Sequence, residues 1–418
     1  MFLTSKLAHE LYESVKGLPI IDYHTHLPAG EILHDHKFEN LWELWLKYDH
    51  YKWRLMRGCG ATEDLITGNA APFEKFKTFA TILPLAIGNP VYQWAHMELK
   101  AVFGITKPLN ADTAEDIWNT ANEQLAASIS VGSLLKGFNV ELIGTTDDPY
   151  DDLADHKALL EQGNPISVLP TYRPDKHILT DDIDFDSLKA RHDYFAEAGC
   201  KMSDHGVAQI PAPDTAAYAA LLEIAKWNHE KDWVMQLHLG PQRQVNTRVS
   251  AQTGPDAGFD TMGSWAQTDR LIHFLNDLDK TDQLPKTVVY NLNPQESEAL
   301  CCSLQNFQQA PNAGKVQYGA AWWHLDNVRG IKEQLDITTE HTAIGAHIGM
   351  LTDSRSFTSY VRHDYYRQIL SSFLADKALR GEMPNDKELL SQTAQNISYY
   401  NVRKYLAKDP HETNNLAK

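Results

Sequence analysis

Eight short apolar runs, separated by stretches of helical periodicity, constrain this chain more than any other feature of its sequence. They lie at 19–27, 140–146, 166–171, a weaker 200–203, 233–239, 287–292, 316–323 and 346–352. Apolar runs of about four to eight residues bounded by polar turns read as buried strands, and their alternation with helices predicts parallel βαβ units. Eight such units predict an α/β fold, a distorted (β/α)8 barrel of the TIM type, with its chemistry at the carboxyl ends of the strands. The fourth run is the weakest link in that count. Between 31 and 128 the periodicity is helical, anchored by Trp42, Trp45, Trp53, Trp94 and Trp118, with no clear strand. A stretch that long is not a loop. It is expected to be a helical insertion, 31–128, within a single domain spanning 1–418, lying over the end of the first strand as a lid.

A barrel gathers its polar chemistry where the strands end, and the residues following each run are polar throughout. They include His24-Thr25-His26, Thr145-Thr146-Asp147-Asp148, Tyr172-Arg173-Pro174-Asp175, Ser203-Asp204-His205, His238, Asn291-Leu292-Asn293, Trp322-Trp323 and Thr352-Asp353-Ser354-Arg355. Capping and turn chemistry explain any one of them, but not all eight together. The first is the most informative. Alternate residues of a strand share a face, so His24 and His26 point the same way and form half of a divalent-metal site. With 19 histidines in 418 residues, such a pair arises about once by chance, and a second pair, His34 and His36, does follow. Context separates them: only the first closes an apolar run. The missing carboxylate must come from a neighbouring strand, and in a closed barrel the eighth strand, ending in Asp353, neighbours the first. His238 on the fifth strand is either a fourth ligand or a substrate contact. One ion is expected rather than two, since the sixth strand ends in Asn293, although Lys201 keeps a bridged pair open. The donors suit Zn²⁺, the expected ion, and also Mn²⁺ or Fe²⁺.

The formal charge of −17 argues against nucleic acid as a partner. A small anionic substrate would therefore have to be held by local arginines. The first seventeen residues carry charges every few positions and no apolar core of a signal peptide, and no run is long enough to span a bilayer, so a cytoplasmic location is expected. The four cysteines, with no Cys-x-x-Cys spacing, are expected to be buried thiols.

Motifs along nearly the whole chain resemble those of the uronate isomerases, or glucuronate isomerases, of the metal-dependent amidohydrolase superfamily. They are DYHTHL at 22–27, DHYKWRLMR at 49–57, GNPVYQWAHMEL at 88–99, TTDDP at 145–149, LPTYRPDK at 169–176, SDHG at 203–206, QLHLG at 236–240, NTR at 246–248, GPDAGFD at 254–260 and MLTDSRSFTSYVRHDYYR at 350–367. The resemblance implies reversible aldose–ketose isomerisation of hexuronates, D-glucuronate to D-fructuronate and D-galacturonate to D-tagaturonate. It also implies metal ligation by His24, His26 and Asp353, reacting-carbon contacts from His50, Tyr51 and Arg355, and a sugar site lined by Arg173, Asp204, His238 and Trp322. The partner is then a small-molecule hexuronate, with neither nucleic acid nor membrane involved, and a homo-oligomer is expected.

The chemistry asks for these residue types. Moving a carbonyl from C1 to C2 means taking the C2 proton, stabilising an enediol and returning a proton to C1. A phenol with an ordinary pKa near ~10 serves as base only if a cation favours its anion, which is the role expected of Arg355 beside Tyr51, with Asp353 and His50 next in line. Arg173 is expected to hold the substrate carboxylate. The competing reading is a metal-dependent hydrolase on the same scaffold, acting on a sugar-acid lactone or amide.

Overall fold

The structure, a computed structural model, describes residues 2–180 and 182–407; residues 1, 181 and 408–418, at the ends and once within the expected domain, lie outside that description. β1 (Ile20–Asp22), β2 (Val140–Gly144) and β3 (Ser167–Leu169) pair in parallel in that order. β4 (Met202–Val207), β5 (Val234–Leu239), β8 (Lys286–Asn291) and β9 (Val316–Tyr318) form a second parallel sheet. Between β5 and β8 in the chain, β6 (Pro241–Gln242) and β7 (Thr261–Met262) make a small antiparallel pair. Tyr172 joins the two parallel sheets, bridging Asp147 on one side and Ser203 on the other.

Alternation along the strands builds two cores at once. Val234 of β5 packs with Ile21, Tyr23, Met202, Val288 and Tyr290, so residues of both sheets share one interior. Met235, Leu237 and Leu239 face the other way, onto Leu221, Ile224 and Phe274 of the surrounding helices. Each such fully buried side chain contributes about 1.5–3 kcal/mol.

Two runs behave otherwise than their composition suggests. The weak fourth run becomes a six-residue strand, with Ser203, Asp204 and His205 fully buried. Its alternation is carried by partnered polar groups, as where Ser203 Oγ meets His205 Nε2 at 3.0 Å, so an apolar pattern could not reveal it. The eighth run, 346–352, is not a strand. A 3₁₀ turn, Ile344–Ala346, leads into extended chain in which Gly349 holds φ +76° against the Ile397 carbonyl, where a Cβ would stand 2.2 Å from the oxygen. The Thr352 N–H and hydroxyl donate to the Asp22 carboxylate at 2.9 and 2.5 Å, taking the donor a ladder would use. The segment still lies beside the chain beyond β1: Asp353 N donates to the His24 carbonyl at 3.2 Å, and His26 N to the Ser354 carbonyl at 2.8 Å.

Every described element between β1 and β2 is helical. Trp45 and Trp94 are buried there, and Trp42, Trp53 and Trp118 are half-buried against the same core. Cys200 and Cys301 are buried as expected, whereas Cys59 is half-buried and Cys302 exposed. Among the described residues no helix is long and apolar enough to cross a membrane.

Candidate active site

β1 ends at Asp22, and the extended chain beyond it carries His24 and His26. Their Nε2 atoms lie 3.3 and 3.1 Å from one atom, Asp353 Oδ1. Trp322 Nε1 donates to the other carboxylate oxygen at 2.8 Å. Two imidazoles and a carboxylate meeting at one point are a donor set that a divalent ion takes. Nearby, His24 Nδ1 and His238 Nε2 are buried without hydrogen-bond partners among the described residues, the former facing Asp204 Oδ2 at 3.9 Å. Burial pushes His26 down to about 4, so its ring is neutral, the form in which an imidazole binds a metal. For His24 burial is outweighed by two carboxylates, Asp204 and Asp353, and its pKa rises. Burial opposes the charge of Asp353 too, but hydrogen bonds from His24 and His26 hold it well below the usual carboxylate range. His34 is exposed and His36 half-buried beside Glu43, apart from this centre.

Asp204, on β4, ties two further expected site residues together. Its Oδ1 accepts from His238 Nδ1 at 2.6 Å, and its Oδ2 pairs with Arg173 Nη1 at 3.0 Å. Expected at the sugar, Asp204 is fully buried and absent from the cavity wall, behind the two groups it holds. Arg173 also meets Asp175 at 3.4 Å. Gly206 makes room for it, since a Cβ there would stand 2.3 Å from Arg173 Nη2. With Nδ1 committed to Asp204, His238 turns Nε2 away from that bond, its ring stacked on Tyr290 at 4.2 Å and edge-on to Trp322 at 4.5 Å.

The helix His50–Gly58 starts at Asp49, whose carboxylate accepts from Lys52 N at 3.0 Å. It presents His50, Tyr51 and Arg54 to the cavity. Two of its arginines fasten it to the 254–260 loop, Arg54 on the Asp260 carbonyl at 2.7 Å and Arg57 on the Ala257 carbonyl at 2.5 Å. Here the expected pairing of Tyr51 with Arg355 is not what the structure holds. Arg355 pairs with Asp256 at 3.3 Å, and the guanidinium facing the Tyr51 ring, 5.4 Å from its centroid, is Arg362. Burial, with Asp353 adding to it and Arg362 opposing, raises the Tyr51 phenol well above its ordinary value. It is therefore a protonated group at neutral pH and not a phenolate. His50, stacked on Tyr51 at 4.5 Å, is pushed down by burial and then by Arg355, and is neutral.

These groups line a cavity of about 530 Å³, within the range of small-molecule sites. Of the ten expected site residues all but Asp204 are on its wall; Lys201 is not. The expectations missed Arg54, Arg243, Asp256, Asp260 and Trp323, which also line it. Several sit inside the quoted motifs DHYKWRLMR and GPDAGFD, but residue type alone gave no reason to choose them. Asp256, Trp323 and Asp353 all hold positive φ, at 55°, 55° and 50°. Such conformations cost about 1–3 kcal/mol each and gather at functional sites.

The family model described as Glucuronate isomerase matches residues 1–187 and 212–406. The uronate isomerase of Shouchella clausii is 39% identical, over 97% of this chain and 96% of that protein. That of Opitutus terrae is also 39% identical, over 98% and 97%. Among solved structures, the uronate isomerase of Thermotoga maritima superposes with a TM-score of 0.90 at 28% identity, covering 97% of this chain and 98% of that one. The glucuronate isomerase of Caulobacter crescentus shares the fold, with a TM-score of 0.86 at 23% identity over 97% and 95%.

Proposed function

This chain belongs to the glucuronate isomerase family, and from that premise we propose that it interconverts aldose and ketose hexuronates, D-glucuronate with D-fructuronate and D-galacturonate with D-tagaturonate. The observation that carries the reading is the meeting of His24, His26 and Asp353 on the wall of a cavity that also holds four arginines, in a chain of net charge −17. His24, His26 and Asp353 would hold one divalent ion, Zn²⁺ by preference, which when bound supplies Lewis acidity toward substrate oxygens. His50, neutral, stacked on Tyr51 and on the cavity wall, is assigned the C2 proton. Tyr51, protonated, is assigned a hydrogen bond to the developing enediol: its proton passes to the C1 oxygen and the C2 hydroxyl proton comes back to it as the new carbonyl forms, while the proton on His50 returns to C1. Burial, with Arg355 adding to it, keeps His50 unprotonated, and Trp322 and His238 shape the sugar site.

The two sheets are proposed to belong to one closed barrel, a reading supported by the Tyr172 bridges, the shared interior and the backbone bonds from 353 and 354 to His24 and His26. Helices of 31–128 are proposed as its lid, since His50, Tyr51 and Arg54 come from them.

Incubation with D-glucuronate in deuterated water, followed by proton NMR, tests the activity. Ketose appearing with label at carbon is the expected result. An inert hexuronate together with cleavage of a sugar-acid lactone would transfer the site to the hydrolase reading.

Arg173→Met is expected to raise KM for uronates about tenfold to a hundredfold, the worth of a charge-assisted hydrogen bond, with a smaller change in kcat. Steady-state kinetics check it. An unchanged KM would move the substrate carboxylate to Arg54, which has no carboxylate partner among the described residues.

A further inference from the structure

We propose that Arg362 is the positioning residue for Tyr51, itself anchored on the Trp322–Asp326 turn and on the segment before Asp353. Arg362 is buried in the helix Val361–Leu379, remote in sequence from each group it holds. Its Nη1 donates to the Thr352 carbonyl at 2.7 Å, one residue before Asp353. The same atom lies 3.3 Å from Asp326, which caps the short turn after Trp322. The guanidinium carbon lies over two rings, 5.4 Å from the centroid of Tyr51 and 4.4 Å from that of Trp94. One side chain thus spans segments around 51, 94, 326 and 352.

The surroundings make this a rigid arrangement. Tyr51 OH has no hydrogen-bond partner among the described residues, so nothing but packing and the cation behind its ring fixes its direction. The adjoining Lys52 is buried on the back of the same helix, 2.7 Å from Asp49 and 3.8 Å from Glu98. Glu98 accepts from Thr358 at 2.8 Å. The helix therefore cannot slide, and Arg362 sets the remaining freedom of the ring. A planar, permanently charged fork suits both tasks, a carbonyl and carboxylate at its edge and aromatic faces on its plane. Lysine offers a point charge and does only part of this.

This inference rests on the isomerase reading, and the wild-type assay separates their failures: no turnover of hexuronate by the wild type sinks the reading itself. Given an active wild type, kcat, KM and bound metal are measured for Arg362→Met, Arg362→Lys, Tyr51→Phe and the doubles. Arg362→Met is expected to lower kcat about a hundredfold, the scale of an ångström's misplacement, with KM and metal content unchanged. Arg362→Lys should recover part of that loss. Added to Tyr51→Phe, either change should cost almost nothing more, because there is no phenol left to position. If Arg362→Met does not fold by circular dichroism, the Arg362→Lys cycle decides alone. Losses that multiply in the double variant, or a raised KM at full kcat, would overturn the proposal.

Discussion

Alanine at both His24 and His26 is expected to leave folded protein that binds well below one equivalent of divalent ion and isomerises hexuronate about a thousandfold more slowly. The two Nε2 atoms address one oxygen of Asp353, so removing both leaves a single carboxylate, too few donors to retain an ion. Charge stabilisation by a metal contributes several kcal/mol to a barrier, and each 1.36 kcal/mol is about tenfold in rate, which sets the size of the loss. Elemental analysis of the purified variant measures the first effect and kcat the second. An unchanged metal content would sink the ligand set, whatever the activity. Folding should survive, because Trp322 Nε1 still donates to Asp353 and the carboxylate, freed of the two imidazoles that hold its pKa down, can take up a proton.

Tyr51→Phe carries the second large effect, a fall in kcat of about a hundred- to ten-thousandfold, as for loss of a general acid, with KM nearly constant. The phenol is buried, protonated and on the cavity wall, so phenylalanine replaces the hydroxyl by a hydrogen while keeping the ring under Arg362. A kcat within a few fold of wild type would take Tyr51 out of the chemistry. The companion experiment concerns the base. Arg355 lowers the pKa of His50, so Arg355→Met should let that pKa rise and move the acid limb of the kcat profile to higher pH. A limb that stays in place would leave Asp353 as the acceptor.

Much of this site was legible because its chemistry is local. His24 and His26 are separated by one residue, the strand period puts them on one side, and their apolar lead-in distinguishes them from His34 and His36. Asp353 followed from topology: a barrel makes the last run the neighbour of the first, and the segment does lie there, although Thr352 spends its donors on Asp22 and no strand forms. The 200–203 run was undervalued for the converse reason. Its interior is polar, and only the partners supplied by Asn228, His238 and Arg173 make burial of those groups affordable.

The sequence by itself determined the βα rhythm, the helical stretch between the first two strands and the meeting of His24, His26 and Asp353, all of which depend on residues near one another in the chain or on strand order. Which cation serves which group was decided only by tertiary structure. Arg355 and Arg362 are seven residues apart in one motif, yet one turns out to Asp256 and the other lies buried over Tyr51. The physical reason is that guanidinium interactions fall off within a few ångströms and compete with burial. The outcome depends on where a helix 300 residues away sets its rings, and no local pattern encodes that distance.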